Sequence, residues 1–129
     1  MTYFIAKQLT GISFDKSIER VTELLQAQGF GILTDIDVKA TMKKKLDLDF
    51  RPYRILGACN PPLAHKALSL EDKIGTMLPC NVIVQQLDDD RIEVAAVDPI
   101  ASMSAVGNSA LEALAQEVRK KLQLVVDAL

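Results

Sequence analysis

Residues 80–98 run Cys80-Asn81-Val82-Ile83-Val84-Gln85-Gln86-Leu87-Asp88-Asp89-Asp90-Arg91-Ile92-Glu93-Val94-Ala95-Ala96-Val97-Asp98 and read as a β-hairpin. Two runs rich in β-branched residues, 80–87 and 91–98, flank three aspartates that favour a turn. A three-residue turn at 88–90 sets Leu87 opposite Arg91. Stepping back along the ladder then brings Cys80 opposite Asp98, a thiol and a carboxylate on one face. Pro99 ends the second run. The sheet is therefore expected to be antiparallel.

Reading backwards from the hairpin, Pro52 stops any helix, and Tyr53 to Ala58 form a strand. Asn60 suits the cap of a short helix starting at Pro61 or Pro62, where a missing N–H costs nothing. Leu63, Ala64, Ala67 and Leu68 share one side of that helix. Residues 40–48 favour a second short helix, with Met42 and Leu46 as an i,i+4 pair. Residues 30–38 read as a strand, although Leu33 to Val38 do not resolve into one buried face. Ser13 caps a helix carrying Phe14, Ile18, Val21 and Leu25, which Gly29 and Gly31 end. Residues 3–10 are a first strand, broken by Gly11. Beyond Gly107, Leu111, Leu114, Val118, Leu122, Val125 and Leu129 mark a long amphipathic helix. The fold class expected is α+β: an antiparallel sheet with the first and last helices on one face and two short helices inserted between strands. The other face is left partly wet, or covered by the short helices and a partner chain.

The length of 129 residues suits one domain over 1–129, and 49% hydrophobic residues suffice for a core. Fifteen basic against seventeen acidic side chains give a net charge of -2, which points away from nucleic acid and anionic membranes. No apolar run nears the roughly 18 residues of a membrane span. The first residues lack the pattern of a signal peptide, so a cytoplasmic location is expected. There, two cysteines are buried thiols, reactive thiols or metal ligands rather than a lasting disulfide.

Both cysteines and the only histidine fall within 59–80. Cys59 ends a strand just before a helix N-terminus, whose free N–H groups and dipole would favour a thiolate. It is otherwise a small residue that packs well. Cys80 is either an oxidant-sensitive thiol or metal ligand, or a plain core residue. His65 falls off the apolar stripe of its helix. It is either solvated or turned toward a cysteine as base or ligand. Cys59, Cys80 and His65, with Asp98, have the types needed to hold a zinc-like soft divalent metal. The spacing C-x5-H-x14-C matches no established zinc module, however. Cysteine, His65 and Asp98 or Asn60 also have the residue types of a thiol triad, a matter geometry decides.

Gly29-Phe30-Gly31 leads into a strand, which makes it a turn rather than a phosphate loop. Lys43-Lys44-Lys45 and Arg119-Lys120-Lys121 are diluted by acidic neighbours and read as solvated helix faces. Arg51, Tyr53 and Arg54 suit edge solvation or an anion at a pocket mouth.

Gly29 to Val38, Lys45, Tyr53 to Pro61, Ala64, Ala67-Leu68, Gly75, Leu78 to Val82 and Asp98-Pro99 together resemble the domain of unknown function 302 family of bacteria and archaea. The Cys-Asn-Pro and Leu-Pro-Cys blocks, in that order, carry the likeness. It implies a TATA-binding-protein-like arrangement, β-α-β(4)-α, and a small homodimer. It implies no reaction. The residues leave three readings open: a ligand- or metal-binding module with a Cys59/Cys80/Asp98 pocket, a thiol-based redox or sulfur-transfer enzyme, and an interaction protein without chemistry. The homodimer has a physical motive of its own, because a sheet face without helices needs cover.

Overall fold

The computed structural model describes residues 2–129. Five strands form one antiparallel sheet: β1 (Phe4–Thr10), β2 (Gly31–Asp37), β3 (Tyr53–Cys59), β4 (Cys80–Gln86) and β5 (Arg91–Val97). Their spatial order is β1-β5-β4-β3-β2. The hairpin takes the expected register. The Leu87 N–H donates to the Arg91 carbonyl at 2.9 Å, and the Asp88 carboxylate accepts from the Asp90 and Arg91 N–H groups.

Alternation along β4 and β5 buries Cys80, Val82, Val84, Ile92, Val94 and Ala96 on one face. Two long helices cover that face: α1 (Phe14–Ala27) through Val21 and Leu25, and α5 (Ser109–Asp127) through Leu111, Leu122 and Val125. The caps work as the sequence suggests. Ser13 accepts from the Lys16 N–H, and Asn108 accepts from Ala110 and Leu111. Gly107, at φ +72°, supplies the left-handed turn before α5.

Short helices fill the connections. Helix α2 (Val38–Leu46) lies against β3 and buries none of its residues. Helix α3 (Pro61–Leu70) starts at the expected place, with Asn60 as cap and Pro61 at its first position. It packs beside α5 on the helical side, so it does not cover the open face of the sheet. A third short helix, α4 (Pro99–Met103), stands where only a strand-ending turn was expected. Asp98 caps it by accepting from the Ile100 N–H. Single 3-10 turns occupy Ile74–Met77 and Ser104–Val106.

Among the described residues, the ladders shift register once, in β2 between Ile32 and Thr34. Ile32 pairs with Ala58 and Thr34 with Gly57, so Leu33 is the extra residue of a bulge. This is why 33–38 show no single buried face.

Candidate functional site

The cavity richest in predicted site residues lies beside the bulge, between the ends of β3 and β4 and helices α3 and α5. Its volume is about 300 Å³. The paired residues Ala58 and Cys80 contribute the sheet side, with Cys59 and Asn60 where β3 runs into α3. Leu63 and Ala67 of α3 face Leu114 and Val118 of α5 across it. Phe30 and Met103 complete the interior. Among the described residues, no aspartate, glutamate, lysine, arginine or histidine lines it.

Cys59 and Cys80 both line this one space. Cys80 is buried and Cys59 partly exposed, and both are free thiols. Burial, and secondly the charge of a neighbouring Cys59 thiolate, push the Cys80 thiol up to about 11. It is protonated at neutral pH. The backbone around Cys59 also differs from expectation. Pro61 and Pro62 have no N–H to offer, the Leu63 N–H is taken by Asn60 Oδ1 at 3.4 Å, and the Ala64 N–H by the Asn60 carbonyl at 2.9 Å. The helix N-terminus presents no free donors among these four positions.

Asn60 is the polar group that the cavity holds best in place. Its Nδ2 donates to the Gln28 carbonyl at 3.4 Å while Oδ1 caps α3. Gly29, at φ +85°, makes the room: an added Cβ would lie 3.0 Å from Asn60 Nδ2.

Two predicted residues lie elsewhere. His65 is exposed and borders a separate groove between α3 and α5, with Lys66, Ser69 and Glu117. Asp98 leaves the hairpin before it can face Cys80. Its N–H donates to the Tyr3 carbonyl, and its carboxylate accepts from Ile100 and from Arg119 Nε at 3.1 Å. The β4–β5 ladder ends at Val82 and Ala96, and Cys80 keeps a partner only on its other side, Ala58 of β3. The proposed metal set therefore does not assemble. Among the described residues, no three histidine, cysteine, aspartate or glutamate side chains gather to hold an ion.

Sequence reasoning missed Leu33, Met103 and the α5 side of the cavity. Leu33 had a visible sign in the broken alternation of β2. The others belong to a helical stripe that reads only as core.

An α+β sheet-and-helix domain with an apolar cavity at one end is the class these features define. The model of the domain of unknown function DUF302 matches residues 5–129, and the chain belongs to that family. It is similar to the crystal structure of an uncharacterised conserved DUF302 protein from Bacillus stearothermophilus. The identity is 27%, with 98% of each chain covered and a TM-score of 0.90. No curated protein matches the chain.

Proposed function

We propose that this protein is a binding module whose ligand occupies the cavity lined by Cys59, Asn60 and Cys80. One observation carries the reading: residues from separate segments, Cys59, Asn60 and Cys80 among them, line a single largely apolar space. That combination is the usual form of a small-molecule site, and about 300 Å³ lies at the lower bound of such sites. The thiols serve as lining. A buried, protonated Cys80, an Asp98 held by Arg119 and a His65 in another groove give the thiol-enzyme reading little support.

A thermal-shift screen of small neutral compounds tests the reading. A ligand at about 100 times its Kd stabilises the fold by about 2.7 kcal/mol. The wild type is expected to show such a shift and Ala64→Phe, which fills the cavity from α3, to lose it. Absence of any shift, or an equal shift in the variant, contradicts the reading.

A homodimer is the second part of the proposal. The open face of the sheet carries Phe4, Ile36, Tyr53, Ile55, Ile83 and Val97, and no helix of the main layer covers it. Five seven-residue strands make a face of roughly 24 by 19 Å at ordinary strand spacings, about 450 Å² in projection. A standard interface of roughly 800 Å² per partner would therefore also draw on the loops at the strand ends. Sedimentation at several concentrations should give a dimer, and Ile83→Lys a monomer of unchanged helix content. A wild type that stays monomeric at high concentration removes this part. Among the described residues, no helix is long and apolar enough to cross a membrane.

A further inference from the structure

We infer that the cavity selects an uncharged, largely apolar molecule, admitted between Leu33 on the bulge of β2 and Leu68 on α3, with Asn60 as its single polar anchor. This rests on the binding-module reading and adds the ligand class and the residues that control access.

The ligand class follows from the lining. A charged group brought into this space would lose its water and meet no ionised partner, a cost of several kcal/mol. An apolar molecule loses nothing of that kind and gains dispersion contacts with leucine, alanine, phenylalanine and methionine side chains. Its apolar lining offers water few hydrogen-bond partners, so an apolar molecule displaces solvent from it at little polar cost. Asn60 then gives orientation. Its amide has two N–H donors and two acceptor sites, of which the structure uses one each, toward Gln28 and Leu63. One donor and one acceptor remain for a carbonyl, hydroxyl or amide on the ligand.

The mouth follows from the bulge. A regular β2 would place residue 33 in step with β3, but the register skips it. Bulges re-aim a side chain, and Leu33 lines the cavity while 67% of it stays exposed. Leu68 also lines the cavity and is 45% exposed. Neither leucine is fixed by core packing. An apolar side chain that reaches both the cavity and the solvent is placed to touch a ligand on its way in.

Two fluorescent probes sharing one ring skeleton provide the test: neutral N-phenylnaphthylamine and its anionic counterpart, anilinonaphthalene sulfonate. The neutral probe should bind the intact protein at least about tenfold more tightly than the sulfonate. Leu33→Trp should weaken the neutral probe by about tenfold with an unchanged circular dichroism spectrum. Leu33→Ala should speed its association. Methyl resonances of Ala67 and Met103 should shift on addition, and those of Ile83 on the open face should not. No binding of the neutral probe overturns the binding-module reading itself. Equal or tighter binding of the sulfonate overturns the ligand class alone. Unchanged affinity and rate in both Leu33 variants overturns the mouth, and shifts confined to Ile83 place the probe on the wrong face.

Discussion

The two outer strands have the same length and both run antiparallel to their neighbours, yet only one keeps step throughout. Strand β1 matches β5 over seven consecutive pairs, from Phe4 with Val97 to Thr10 with Arg91. Strand β2 slips by one residue against β3. The regular edge builds a surface, and the slipped edge builds a cavity. The slip frees Leu33 from the ladder and carries Thr34 across Gly57, where a side chain would collide with it. The comparison teaches that the site is made by a local failure of sheet regularity, sustained by a residue without a side chain. The bulged pair is also tied by Arg54, whose two hydrogen bonds to Asp35, at 2.7 and 2.6 Å, hold that carboxyl below its ordinary range.

The sharpest way to break the contrast is a single methyl. At Gly57 an added Cβ would overlap Thr34 Oγ1 and lie 2.7 Å from Pro79 Cγ. Gly57→Ala should cost about 2 kcal/mol in urea unfolding, and Thr34→Ala in the same chain should restore part of it. A larger enlargement on the regular edge, Ala6→Val on the exposed side of β1, should stay within about 0.5 kcal/mol. Equal costs at the two edges would remove the distinction.

The two strand-end caps sharpen it further. Asn60 and Asp98 each cap a helix that begins with proline. Asp98 also accepts a charged hydrogen bond from Arg119, so Asp98→Ala should cost about 2 kcal/mol and Asn60→Ala about 1 kcal/mol. Probe affinity should follow the opposite order, falling with Asn60→Ala and holding with Asp98→Ala. If the Asp98 variant loses the probe and the Asn60 variant keeps it, the ligand is held from the Met103 side of the cavity and not by Asn60.

The smallest effect at neutral pH concerns Cys80. Its thiol has an ordinary value of 9.0 and is raised to about 11 in the fold. The folded form thus holds its proton more tightly than the unfolded one. That stabilisation is complete below pH 9 and is lost as pH rises through 11. Iodoacetamide should label Cys59 ahead of Cys80 at pH 8, read by peptide mass. Cys80→Ala should flatten the fall in stability between pH 9 and 11. Prompt labelling of Cys80 at pH 8 would place it outside the apolar lining.

Much of this architecture was legible. The three aspartates and the β-branched runs set the hairpin register because Asp88 closes the turn with its own carboxylate. The Asn60-Pro61 pair announced a helix start, since cap and proline both act locally. Asp98-Pro99 carries the same signature, but its helix has five residues and no apolar stripe to extend the signal. The placement of Asp98 failed for a related reason: the register pointed toward Cys80, and the chain leaves the sheet to begin that helix. The position of both cysteines at strand ends was legible, but their closeness in space was not, because the order of strands in the sheet decides it. The side of α5 that meets them was not legible either, because the same residues would read as core against any neighbour.

The most direct trial of the cavity's character is a crystal of the protein under xenon pressure. Xenon is uncharged, polarisable and unable to donate or accept a hydrogen bond, so it goes where apolar space is dry. The expected result is a strong peak among Phe30, Leu63, Cys80 and Met103, with the surrounding backbone unmoved. Ordered water in that space instead, or side chains collapsed into it with xenon bound only on the open sheet face, would contradict the account.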